Sequence, residues 1–191
     1  KKVGHGGTLD PDATGVLPIC IGRASRFIDR FVQGRKVYEA SAVFGSATDT
    51  YDASGRVTAE SDPDLITIEA IVAALPQFIG KISQVPPMYS AIKVNGKRLY
   101  KLARQQKIVE REPVTVKIEN MHLYGYKEGF LNFSVTCSKG TYIRTLGKEI
   151  AEKLETVGYL TSLIRTQVGG YSIDESQSIK EFEASWKLSI N

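Results

Sequence analysis

The sequence predicts an α+β fold built on a largely antiparallel mixed sheet flanked by helices. Three observations carry this expectation. Leu131, Phe133, Val135 and Cys137 alternate with polar residues, the pattern of a half-buried strand. Ile143, Leu146, Ile150 and Leu154 recur at helical spacing within Thr141–Glu155, the best helix pattern in the chain. Strand-like and helix-like stretches follow one another without regular β–α–β alternation, which argues against a doubly wound parallel sheet.

The chain has 191 residues, enough for one sizeable core. Its 42% apolar and 24% charged content is that of an ordinary globular protein. It contains no apolar run of about 18 residues, so no transmembrane helix is expected, and no signal peptide is visible. The net charge of +4 is compatible with an anionic partner and proves none. Cys20 and Cys137 sit in apolar, strand-like surroundings. They lack metal-ligand spacing, and His5 and His122 do not complete a zinc set. Both cysteines are expected as buried thiols in a reducing cytoplasm.

In chain order, Gly4–Gly22 comes first. Gly4, Gly6, Gly7 and Gly15 surround Asp10-Pro11, a segment poor at being a helix or a regular strand and suited to holding one carboxylate in a glycine-walled loop. Val16–Ile21 is an apolar run able to anchor its far side. Arg23–Gly34 reads as a short helix with Phe27, Ile28 and Phe31 on a stripe and Gly34 as its stop. Lys36–Phe44 reads as a strand. Ala47–Gly55, rich in turn formers, is expected to be an exposed loop, with Arg56–Ala59 as the return strand. Thr67–Gly80 reads as a helix with Thr67 as N-cap and Pro76 ending its regular part. Asn95-Gly96 signals a hairpin after Ala91–Val94, followed by a short basic helix over Arg98–Gln106. Val114–Ile118 alternates as a strand. Ser138–Gly140 breaks the chain before Thr141–Glu155. Leu160–Val168 is expected to re-enter the sheet, and Ile179–Trp186 has helix-like patches.

Four features carry chemistry. Asp10 is either a turn residue of an Asp-Pro pair or a carboxylate held in a site; the density of glycine around it favours the site. The bare pattern Asp10-Pro11-Asp12-Ala13-Thr14 is also that of haloacid-dehalogenase-type phosphatases, but those need an apolar strand delivering the first aspartate, and HGGTL stands there instead. Arg144 lies in the first turn of the best helix, where an arginine either faces solvent or pairs with a buried carboxylate and holds it ionised. Tyr38, in a strand, is a core residue with its hydroxyl at the rim or a functional group. Lys93, Lys97, Arg98, Lys101, Arg104, Lys107 and Arg111 face one acidic residue, Glu110, across the same stretch. That run is a solvated helix face or a phosphate-facing surface.

Taken together and in order, GHGGTLDPDATGVLPICIG, KVYEASAVFG, VPPMYSAIKVNGKRLYKLAR, CSKGTYIRTL and LTSLIRTQVG resemble the TruB family of tRNA pseudouridine synthases over nearly the whole chain. The bacterial branch fits best, through ATGVLP and VPPMYSAIKVNG; the guide-RNA-dependent dyskerin type is the nearest competitor. The resemblance implies the pseudouridine-synthase fold with a basic thumb-like hairpin and helix inserted at about 84–111; the glycine in the hairpin of Lys93–Arg111 suggests mobility without RNA. It implies isomerisation of the T-loop uridine, position 55 of tRNA, with no metal, nucleotide or redox cofactor. It implies a monomer working on the T-arm stem-loop, with no membrane partner.

By motif position the resemblance makes Asp10 the catalytic aspartate, acting at the ribose through C1′ or C2′. Arg144 becomes its partner, and Tyr38 the residue that stacks on the target base and shuttles a proton. Lys36 would stand at the site rim, and His5 would occupy the space left by the extruded uridine. Tyr142 and Leu163 would line the base pocket, and Arg165 would meet the phosphate backbone. Lys93, Lys97, Arg98 and Arg104 would grip the RNA. Two departures from the family pattern are expected to matter. The residues KKVGHGG enter the first motif directly, so a further N-terminal segment is expected to be missing, and the tail after Gly170 is too short for a complete PUA-type domain.

Overall fold

The computed structural model describes residues 2–94 and 96–190, the side chains of 188–190 excepted. Within the glycine-rich opening lie β1 (Val3–His5), β2 (Thr14–Gly15) and β3 (Ile19–Ile21). β1 pairs antiparallel with β3, Val3 opposite Ile21 and His5 opposite Ile19. The expectation of no regular strand here is corrected: β-branched Val3, Ile19 and Ile21 support a short pairing at the two ends, with Gly4 opposite Cys20, while Gly6, Gly7, Pro11 and Pro18 stay between the two strands. Gly6 is buried where this ribbon crosses the next helix; a Cβ there would collide with Phe31. The apolar run anchors through Val16 and Cys20, which are buried, whereas Leu17, Ile19 and Ile21 remain exposed.

A 3-10 turn over Gly22–Phe27 leads into α1 (Ile28–Gln33), the expected short helix. β4 (Lys36–Phe44) follows with the predicted bounds, then β5 (Ser46–Thr48) and β6 (Val57–Glu60), which pair as a side ribbon. The stretch Ala47–Gly55 is not the exposed loop that its composition suggests. Thr48 and Thr50 are buried; the Thr48 hydroxyl donates to the carbonyl of Asp52 and the Thr50 hydroxyl to its carboxylate. α2 (Ile68–Ala74) starts at Thr67, whose hydroxyl accepts from the Ala70 amide at 3.2 Å, and passes into a 3-10 turn, Leu75–Phe78, at Pro76. β7 (Gly80–Gln84) comes next.

β8 (Lys93–Val94) and β9 (Lys97–Arg98) form the expected hairpin and run into α3 (Leu99–Ala103). Asn95, half of the turn signal, lies outside the described residues; Gly96 has φ +78°, which suits glycine. The long antiparallel pair β10 (Val114–Lys127) and β11 (Phe130–Cys137) is followed by α4 (Ile143–Lys153), β12 (Gly158–Val168), β13 (Tyr171–Ser172) and α5 (Ile179–Ile190).

The described residues form a seven-stranded sheet in the order β13-β12-β4-β11-β10-β7, with β2 added beside β12. All its pairs are antiparallel except β2 with β12. One face carries Ala40, Ala42 and Phe44 from β4 and the alternating residues of β11, and against it pack Ile143, Leu146 and Ile150 of α4 and Ile71 of α2. Ile118, Leu131, Phe133, Leu146 and Ile150 are fully buried. Each such side chain contributes about 1.5–3 kcal/mol relative to exposure. This packing fixes the N-terminus of α4 against the sheet, and that position determines where Arg144 stands. Among the described residues no helix is long and apolar enough to cross a membrane.

Candidate active site

Arg144 is 4% exposed and sits one residue inside α4. Its Nε donates to Asp10 Oδ2 at 2.8 Å and its Nη2 to Asp10 Oδ1 at 2.9 Å, a two-pronged pair along one edge of the guanidinium. Nη2 also donates to the Tyr89 carbonyl at 2.9 Å and Nη1 to the Thr50 carbonyl at 2.8 Å. Nη1 further meets Asp52 Oδ2 at 3.2 Å. A guanidinium has five N–H donors in a fixed fork; four of them donate hydrogen bonds here, and Asp52 adds an ion pair. One cation therefore orients two carboxylates.

Asp10 is held from its own side as well. The Ala13 amide donates to the Asp10 carbonyl at 3.0 Å, so the Asp-Pro turn exists and serves the site. Asp52 is fixed by its own turn: Oδ1 accepts from the Thr50 hydroxyl at 2.7 Å and from the Ser54 amide at 3.0 Å. The start of α4 is held by Gln84 of β7, which is buried. Its Oε1 accepts from the Tyr142 amide at 3.0 Å and its Nε2 donates to the Tyr142 carbonyl at 3.3 Å.

Asp10 and Arg144 open into a cleft of about 780 Å³ whose walls include Tyr38, Tyr142, Leu163, Tyr89, Arg98 and Arg104. That volume is in the range that takes a small organic group the size of a nucleotide base with its sugar. Burial pushes the Tyr38 phenol up from its usual range, opposed by the charge of Arg165 beside it. Burial also raises Tyr142. Burial thus favours the neutral form of both phenols, which line the cleft with Asp10.

The other predicted site residues divide. Lys93, Lys97 and Arg98 line a smaller hollow on the hairpin and α3, with Lys101 beside them. Arg104 stacks its guanidinium 5.6 Å from the Tyr100 ring centre. His5 is exposed on β1 and is not among the residues of the cleft wall. Lys36 borders the cleft, as expected, but is 5% exposed. Its ammonium donates to the carbonyls of Phe31 at 3.2 Å, Val32 at 2.5 Å and Gly34 at 2.6 Å, closing the C-terminus of α1 where a cation is favoured. Burial, and then the charge of Arg165, lower its pKa.

Arg165 departs furthest from expectation. It is 1% exposed, and its donors point at carbonyls of the glycine-rich loop, so it does not face a phosphate backbone. Asp52 and Gln84 were missed from sequence because a turn-rich stretch and a lone strand glutamine carry no local sign of a distant partner. The available signals were weak: alternating Thr48 and Thr50, and the Asp52-x-Ser54 spacing of an Asx turn.

The sequence profile described as "TruB family pseudouridylate synthase (N terminal domain)" matches residues 1–143. A protein named tRNA pseudouridine synthase B from Caldanaerobacter subterraneus subsp. tengcongensis is 45% identical over 184 residues, 96% of this chain and 65% of that protein. One of the same name from Pseudomonas fluorescens is 46% identical over 184 residues, 96% of this chain and 60% of its own. The chain thus spans about two thirds or less of the length of these relatives. Among solved structures, a crystal structure of a Cbf5-Nop10-Gar1 complex superposes with a TM-score of 0.74 at 26% identity, covering 100% of this chain and 49% of the other.

Proposed function

The chain belongs to the TruB family of pseudouridylate synthases, and from that premise we propose that it isomerises the uridine at position 55 of the tRNA T-loop to pseudouridine. The reaction breaks the bond from ribose C1′ to uracil N1, turns the base, and joins C1′ to C5. The C5 proton leaves and N1 takes one up, so nothing is gained or lost overall. The observation that carries this reading is the Asp10 carboxylate, held at both oxygens by Arg144 and opening into a cleft walled by Tyr38, Tyr142 and Leu163.

In this reading Asp10 acts at the ribose, as nucleophile toward C1′ or as base toward C2′. Arg144 fixes the direction of the carboxylate, and Asp52, Thr50 and Tyr89 fix Arg144. Tyr38 stacks on the extruded base and passes on the C5 proton, and Tyr142 lines the base pocket. Extrusion of a loop base costs a few kcal/mol. The whole chain serves as one catalytic domain, with residues 84–111 as an inserted thumb that grips the T-arm through Lys93, Lys97, Arg98 and Arg104. The root of that thumb is tied to the site, since Tyr89 accepts from Arg144 and the Ser90 carbonyl accepts from the Tyr100 amide. The protein works as a monomer without a membrane partner. Two free buried thiols, Cys20 and Cys137, favour a reducing setting such as the cytoplasm.

The test is pseudouridine formation on an unmodified tRNA transcript, mapped to the nucleotide, with wild type beside Asp10→Ala. Conversion at the T-loop uridine by wild type alone supports the reading. Binding without conversion by either protein would favour an RNA-binding module, for which the exposed basic hairpin would then be the main evidence.

A further inference from the structure

Arg165 lies directly opposite Tyr38 in the β12–β4 register, so the two side chains leave the sheet on the same face. A register shift between Arg165 and Gln167 follows immediately, the kind of irregularity that re-aims a side chain. The Arg165 carbonyl accepts from the Val16 amide at 2.8 Å, while its Nε donates back to the Val16 carbonyl at 2.8 Å. Nη2 donates to the Gly7 carbonyl at 3.1 Å and Nη1, more weakly, to that of Thr8 at 3.4 Å. One residue therefore grips both ends of the loop whose middle is Asp10. The fit depends on Gly15, which has φ +102° and whose Cβ position is filled by the Arg165 backbone.

We propose that Arg165 is a positioning residue of the reaction, setting from one buried guanidinium both the shape of the Asp10 loop and the placement of the Tyr38 ring. The proposal rests on the functional reading above. Among the described residues Arg165 has no carboxylate ion-pair partner; its charge is held by loop carbonyls, and the residue stands opposite Tyr38 in the sheet. A buried cation without a carboxylate partner carries a desolvation cost that its hydrogen bonds serve to offset. A rigid fork that spans two loop ends is well suited to fixing a geometry. Misplacing a reacting group by about 1 Å costs on the order of 100-fold in rate.

The experiment uses the full chain with Arg165→Met and Arg165→Lys. Three quantities are read: tRNA dissociation constant, single-turnover rate of pseudouridine formation at saturating enzyme, and hydrogen exchange by peptide. The expected result for Arg165→Met is a rate lowered about 100-fold with affinity within about threefold of wild type. Exchange should rise at residues 6–16 and stay unchanged over α4 and β11. Arg165→Lys keeps the charge but cannot reach Val16 and Gly7 together, so it should resemble the Met variant. It also carries the test if Met prevents folding. A loss confined to affinity would overturn the proposal in favour of a phosphate contact. Unchanged rate and exchange, or exchange raised throughout the molecule, would overturn it as well. Failure of wild type to convert uridine would instead sink the functional reading, and the exchange pattern, which needs no turnover, would still decide the loop-anchoring role.

Discussion

Asp52 Oδ2 stands 3.2 Å from Arg144 Nη1, on the part of the guanidinium turned away from Asp10. The arginine is thus oriented by one carboxylate and presents its other edge to a second. A salt bridge to Asp10 alone would leave the guanidinium free to swing about its long side chain; Asp52, with the Thr50 and Tyr89 carbonyls, removes that freedom.

Asp52→Asn tests this directly. An asparagine keeps an oxygen for the Ser54 amide and so preserves the turn, but it replaces the charge facing Arg144 with a neutral amide group. The expected outcome is a single-turnover rate about 10- to 100-fold lower with tRNA affinity unchanged. A rate within about twofold of wild type would mean that Asp10 and the two carbonyls suffice.

Arg144→Lys is not a conservative change here. An ammonium cannot make the two-pronged contact with Asp10 and also reach the Thr50 and Tyr89 carbonyls. Each buried acceptor left unpaired costs about 1–3 kcal/mol. The variant should melt at lower temperature and lose at least about 100-fold in turnover, read by calorimetry and by single-turnover kinetics. Loss of turnover without loss of stability would show that the carbonyl contacts carry little of the fold.

What the sequence made legible follows from how local each cause is. The alternation Leu131–Cys137 and the stripe Ile143–Leu154 are properties of neighbouring residues, and both elements form as read. Asp10 was legible because its glycines and proline surround it. Asp52 was not, because nothing near it in sequence announces Arg144; the same turn formers that suggested an exposed loop here fold it inward. The bonding of Lys36 and Arg165 was illegible for a related reason. Charge in a basic protein suggests a solvent or phosphate partner, and only the packing shows that both side chains turn inward to backbone carbonyls.

Gln84 holds the first turn of α4 at both polar groups of Tyr142. Gln84→Leu keeps the volume and removes both bonds. The Tyr142 carbonyl still accepts from the Leu146 amide, but the Tyr142 amide is left without a partner. Unfolding free energy should fall by about 1–3 kcal/mol in urea. Turnover should fall with it, since Tyr142 and Arg144 both depend on this turn. A variant as stable as wild type would show that the helix N-terminus is fixed by its apolar packing alone.

The last expectation concerns alkaline stability. Cys137 is fully buried on β11, and burial pushes its thiol from 9.0 up to about 11, against a hydrogen bond from Thr141 and the charge of Lys36. In the unfolded chain the thiol loses its proton near 9.0, while in the folded protein it keeps it to about 11. Between those values the unfolded state binds fewer protons, so stability falls as pH rises. The displacement corresponds to roughly 3 kcal/mol when complete. Lys36 and the buried tyrosines titrate nearby, so the difference between wild type and Cys137→Ala isolates the thiol. The alanine variant should be less stable at about pH 8 by the cost of a small cavity, about 1 kcal/mol. Toward about pH 10.5 the gap should close or reverse, because only wild type carries the penalty of a buried thiol. Urea midpoints for the two proteins that run parallel across this window would mean that Cys137 does not resist ionisation in the fold.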